Sequence, residues 1–186
     1  MAEVYDATPT DTLTTATPRL LNVSVLKSLG TGLTVGFTIA GSTPKTVVIR
    51  AIGPTLGAPP FNVPGTVADP QLTLFNSSSA KLAETDNWSA LPAQATALTA
   101  AFSSVGAFPL RPASRNAALL TTLPPGGYSF QVSGVSNTTG VALVEVYNVP
   151  WADRLLAPLA YPGHRIRRPA PFNPPSERYP SVSAFG

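Results

Sequence analysis

The chain has no cysteine, a single histidine and a charged share of only 11%, and each scarcity closes off a class of chemistry. Without cysteine there are no disulfides, no thiolate metal sites and no thiol catalysis. The lone histidine, His164, sits in a proline-rich stretch, where nothing on a rigid scaffold would orient it as a general base. Serine is plentiful, but no Gly-x-Ser-x-Gly elbow occurs to present one as a nucleophile. No run approaches the roughly 18 apolar residues that a membrane-spanning helix requires. Nor does the opening stretch show a basic start followed by an apolar core, so no signal peptide is visible. The charged share is about half that of an ordinary globular domain, for which about 25% is usual.

What fills the chain instead is Thr, Ser, Pro, Gly, Val and Leu, with 44% hydrophobic residues and 21 prolines. That mixture favours strands and turns and supplies enough apolar material for a core. The sequence pI of about 9.5 does not describe a basic body. Residues 1–149 hold seven basic and seven acidic side chains, whereas residues 150–186 hold five arginines against Asp153 and Glu177. The whole +3 excess therefore lies in the C-terminal stretch. The body offers no broad positive field for nucleic acid, and no nucleic-acid partner is expected.

Residues 6–18, "DATPTDTLTTATP", read as a stiff Thr/Pro linker. From Arg19 the pattern switches to period two. "LLNVSVLKS", "LTVGFTI", "QLTLF", "AALLTTL", "YSFQVSGV" and "VALVEVYN" alternate or run apolar between turns such as "GTG", "GSTPK", "NSSSA", "PPGG" and "SNTTG". "TVVIRAI" at 46–52 is apolar on both faces except for Arg50, as a central strand should be. "AKLAETD" at 80–86 is a weaker strand, and the Ala-rich 90–105, with Leu98 and Phe102 four apart, is the one helix expected. About eight strands with frequent turns predict an all-β fold: an antiparallel β-sandwich or jelly-roll-like single domain with one short helix. Three parts are expected: residues 1–18 as a donor-like strand and linker, 19–149 as the sandwich, and 150–186 as a Pro-rich extended arm.

Few residues invite a chemical role. Glu84 and Asp86 share a strand face and, with Asn87 beside them, would suit a glycosidase pair or a calcium ligand set. A solvated strand end is the plainer reading, and no metal or cofactor is expected. "GTGLTVG" and "GPTLG" look like phosphate-binding loops but lack the receiving helix or the lysine, and read as turn glycines. Trp88, with Tyr128, could form a stacking platform for a sugar; a tryptophan plugging the sandwich edge is the competing reading. Four Asn-x-Ser/Thr sequons, at Asn22, Asn76, Asn87 and Asn137, are about what a Ser/Thr-rich chain contains.

Two echoes remain. "AEVYDA" at 2–7 nearly repeats "VEVYNV" at 144–149, and "RLLNVS" at 19–24 returns as "RLLAPL" at 154–159. The series "PKTVVIRAIGPTL", "ADPQLTLF", "DNW", "AFPL" and "PGGYSFQVSGVSNTTGVALVEVYN" resembles a β-sandwich repeat found in tandem in large secreted or surface proteins of environmental bacteria. Those repeats open with Arg-Leu-x-Asn-x-Ser and close with Glu-Val-Tyr-Asp/Asn. The resemblance spans about residues 19–148 and implies an extracellular or cell-surface structural module with no defined enzymatic role. Here one full copy is flanked by the tail of one and the head of another. Either the chain belongs to a tandem array, or the flanking pieces are working strands.

On the second reading, Ala2, Val4 and Tyr5 would complete a neighbour's sheet by strand addition. The aromatics Trp151, Tyr161, Phe172 and Tyr179 would anchor the arm on an adjacent subunit. The expectation is a homopolymer, a head-to-tail extracellular fibre or surface array. A carbohydrate-binding or adhesion sandwich, with glycan at Trp88, is the alternative.

Overall fold

The computed structural model of the chain describes residues 21–149. Eight strands form: β1 (Asn22–Leu29), β2 (Leu33–Ile39), β3 (Lys45–Ile52), β4 (Pro70–Asn76), β5 (Lys81–Thr85), β6 (Ala117–Leu123), β7 (Gly126–Gly134) and β8 (Gly140–Asn148). One helix, α1 (Pro92–Ser104), stands between β5 and β6. The strands lie in two antiparallel sheets, ordered β1-β8-β3-β6 and β2-β7-β4-β5. The pairs β1·β8, β2·β7, β3·β6 and β4·β5 are those of one long hairpin rolled over on itself. This is an eight-strand jelly roll, one of the two sandwich arrangements expected from the strand count and turn spacing.

Alternation decides where each face goes. In β3, Val47, Ile49 and Ala51 enter the core between the sheets, while Val48, Arg50 and Ile52 point the other way, and all six are buried. The inter-sheet core adds Leu72 and Leu74 from β4, Phe130 and Val132 from β7, and Ala142 and Val144 from β8. A second core covers the outer face of the β1-β8-β3-β6 sheet. There Leu98, Ala101 and Phe102 of α1 pack with Val48, Ile52, Leu56, Trp88, Leu110 and Tyr147. A sheet buried on both faces explains why β3 reads as a nearly unbroken apolar run.

The helix is bounded by local chemistry. Pro92 occupies the first turn, where its missing N–H is no loss. At the far end Gly106 takes a φ of 70°, and the Ala107 N–H returns to the Phe102 carbonyl at 2.9 Å. Along its exposed side Thr96, Thr99 and Ser103 donate their hydroxyls to the carbonyls four residues back. The result is a short, polar-backed lid with a narrow apolar stripe.

A buried arginine cluster as the candidate functional site

Arg50 comes from the middle of β3 and is 0% exposed. The register that pairs β3 with β8 sets Arg50 opposite Glu145, and the β1·β8 register sets Ser24 opposite the same residue. The Arg50 Nε lies 3.2 Å from Glu145 Oε2. The other oxygen, Glu145 Oε1, accepts hydrogen bonds from the Ser24 hydroxyl at 3.1 Å and from the Tyr147 hydroxyl at 2.9 Å. Arg50 Nη1 donates to the Phe108 carbonyl at 2.9 Å. The flat guanidinium is held between two rings, 4.6 Å from the centre of Phe102 and 4.5 Å from that of Phe108. Such stacking suits arginine, whose weakly hydrated, delocalised cation keeps its charge when desolvated.

Burial penalises the charged guanidinium and lowers the Arg50 pKa from its usual range, a pull that the neighbouring carboxylate of Glu145 opposes. Burial also raises the Tyr147 pKa, and Glu145 adds to the rise by its charge and by accepting the phenol's hydrogen bond. The phenol is therefore kept neutral as a donor. Arg50 Nη2 has no hydrogen-bond partner among the described residues, so the ring faces are its company. With its cation, carboxylate and phenol mutually engaged and enclosed, the cluster is built to hold strands in register.

A second polar knot lies beside it. Asn116, also 0% exposed, accepts the Gly53 N–H at 3.0 Å and donates to Thr55 Oγ1 at 2.7 Å and Ser114 Oγ at 2.6 Å. Its own carbonyl takes the Trp88 N–H at 2.9 Å. One residue, through its side chain and its backbone carbonyl, thus ties the "GPTLG" turn, the "DNW" segment and the 111–116 loop together over the second core.

The placements of the residues singled out from sequence differ. Trp88 is 6% exposed; its indole N–H lies 3.3 Å from the Arg111 carbonyl and 3.2 Å from Ser114 Oγ, and its ring rests 5.9 Å from Phe102. It edges only a shallow hollow with Asn87, Ser89, Ala90, Ala95, Pro112 and Ala113. Little of its ring is exposed for a sugar to stack on. Tyr128 lies on the opposite sheet, stacked on Phe37. Glu84 accepts from Gln71 and Thr73 and pairs with Lys81 at 3.1 Å on the open face of β4 and β5. No group of three or more metal-binding side chains gathers among the described residues. Among them, too, no helix is long and apolar enough to cross a membrane. Asn76 accepts the N–H groups of Ser78 and Ala80, as a turn residue does.

Ala2, Val4, Tyr5, Trp151, Tyr161, Phe172, Tyr179 and His164 lie outside the described residues. The slot that "AEVYDA" echoes lies within them. It is an interior position between β1 and β3, and the chain's own β8 fills it. A strand arriving from elsewhere would have to use a sheet edge instead.

Sequence reading noticed Arg50 as the break in an apolar run but not its partners. The signal that would have found them is the recurring signature itself: Asn-x-Ser supplies Ser24, and Glu-Val-Tyr supplies Glu145 and Tyr147.

No family model matches the chain, and no curated protein matches it. Among solved structures, the pre-peptidase C-terminal domain of a collagenase from Bacillus anthracis is similar, with 13% identity and a TM-score of 0.40 over 68% of this chain and 89% of that one.

Proposed function

We propose that the protein is a non-catalytic structural subunit of an extracellular fibre or surface array, joined to copies of itself through its terminal segments. One observation carries this reading. In β8, Glu145 and Tyr147 are the residues that seat the strand on Arg50 and Ser24, and the same Glu-Val-Tyr stands at residues 3–5, ahead of a Thr/Pro linker. The N-terminal segment thus carries the side-chain pattern of a strand built for this fold, while its parent position is already taken. A strand with spare pairing capacity and an open sheet edge elsewhere are the two halves of strand complementation. Because the two halves differ, their contact is head to tail and propagates unless its rotation closes a ring. The tandem-repeat resemblance supports an extracellular or surface setting.

Negative-stain imaging and sedimentation of the full chain, beside a chain lacking residues 1–18, test the proposal. Long polymers are expected from the first, and a folded monomer with unchanged far-ultraviolet dichroism from the second. Polymers of equal length from both would end the donor role.

A further inference from the structure

The two sides of the jelly roll are closed unequally. On one side β5 packs against β6, and α1 covers β6. On the other, β1 and β2 are the edge strands of the two sheets among the described residues, and β1 packs across the seam on β7, as β5 does on β6, but the helix lies on the far side. The inward row of β1 shows the consequence: Leu21 is 52% exposed and Val23 and Val25 are half-buried, although their partners across the ladder, such as Val144, are core. Leu33, Val35 and Phe37 of β2 are likewise only partly buried against the inter-sheet core. An apolar row thus lies along the seam, bounded by a charge. Lys27 shares the inward side of β1, is exposed, and has no carboxylate within ion-pair distance among the described residues. Inward-pointing lysine on an edge strand discourages indiscriminate pairing, leaving the edge to a strand that brings a matching acid.

We infer that this β1–β2 seam is the acceptor for the Ala2–Asp6 segment of a second copy, with Ala2 and Val4 set against the Val23, Val25, Val35 and Phe37 row and Asp6, on the same face of the segment, meeting Lys27. The occupant is argued from three features. Its alternation matches that of β8, whose Val144 and Val146 flank β1 from the other side. Its Asp6, in step with Ala2 and Val4, complements Lys27, the one unmatched cation among the described residues of the seam. The twelve residues 7–18 that follow it can span about 40 Å, enough to reach the seam of a second copy. The inference rests on the strand-exchange reading above and names its docking surface.

A charge swap in the full chain tests it. Lys27→Glu is expected to raise the concentration needed for polymerisation by about tenfold, since like charges then face each other across the contact. Adding Asp6→Lys to that variant should restore polymerisation to within about twofold of the parent, whereas adding Glu3→Lys, on the other face of the segment, should not. Leu82→Lys, on the exposed far edge at β5, should leave it unchanged. Near-ultraviolet dichroism of each variant confirms that the body is folded. If the parent polymerises and Lys27→Glu does so equally well, or if the swap does not rescue, the seam is not the acceptor and the exchanged strand uses another edge. If the parent forms no polymer at all, strand exchange itself falls. Hydrogen exchange gives an independent reading: residues 22–27 and 33–37 should be more protected in the polymer than in the chain lacking residues 1–18, and equal protection overturns the assignment.

Discussion

Arg50 shows how one side chain can decide where three strands sit. A buried ion pair adds little net stability over a well-packed apolar pair, because desolvating both ions consumes most of the Coulombic gain. Removing one partner is another matter. Arg50→Met leaves the Glu145 carboxylate, 4% exposed, without its cation, and should cost about 3–5 kcal/mol in urea unfolding. The paired change Arg50→Met with Glu145→Leu should recover most of that loss. If the double variant is as unstable as the single one, the stacking on Phe102 and Phe108 matters more than the charge pair. Tyr147 adds a pH dependence with a definite sign. Its phenol pKa is raised in the folded state above the usual value of 10.0, so the neutral form is favoured by folding. Its stabilising contribution is complete below about pH 10 and is lost as pH rises through the higher folded value. Urea midpoints between about pH 8 and 11 should fall more steeply for the parent than for Tyr147→Phe, which has no phenol to ionise.

At the scale of the elements, backbone approach fixes residues that composition alone left as generic turn formers. Gly53 ends β3 where residues 65–67 run back beside β8, and a Cβ there would sit 2.0 Å from the Val67 carbonyl oxygen. Gly53→Ala must push two backbone segments apart, and a loss of about 2–3 kcal/mol is expected, at the upper end of ordinary overpacking. Gly36→Ala in β2, whose nearest neighbour would be 3.8 Å away, should change stability by less than about 0.5 kcal/mol. Equal effects from the two would show that the 65–67 segment yields freely. The contrast also shows what the sequence could carry. All eight strands and the helix were legible because alternation, Ala/Leu spacing and turn residues are local signals. Their number and spacing pointed to a sandwich or jelly roll, whereas the order of the strands in the two sheets is set by long-range pairing. Gly53 looked like any turn glycine because its obstacle, Val67, is fourteen positions on in a segment with no regular pattern. Glu145, Phe102 and Phe108 could not be assigned to Arg50 for the same reason, being contacts made only by the fold. The Glu-Val-Tyr echo was visible as a repetition, but its physical content, a carboxylate and phenol that seat a strand, needed the register of β1, β3 and β8.

For the molecule as a whole, the sheet β1-β8-β3-β6 is the shared wall of two cores, and this bears on how it unfolds. Ile49 faces the inter-sheet core and Ile52 the core beneath α1, three positions apart on β3, both 0% exposed. If the helical lid were an independent attachment, a cavity under it would loosen the lid and leave the sandwich intact. The Arg50 and Asn116 clusters argue otherwise, because they bind the lid's loops to β3 and β8 with buried polar contacts that have no partial state without unmet groups. Unfolding should therefore be a single cooperative event. Ile49→Ala and Ile52→Ala should each cost about 2–5 kcal/mol, and both should shift one common transition. Trp88 makes this measurable: it sits in the second core, and replacing the other tryptophan, Trp151, by phenylalanine leaves Trp88 as the single indole reporter. In that background, indole fluorescence follows the lid while far-ultraviolet dichroism follows the strands. Coincident midpoints for both probes in both variants are expected. An earlier fluorescence transition confined to Ile52→Ala would mean that the lid folds on its own account. The polar clusters would then be contacts made after the sheets have formed, not part of what holds them together.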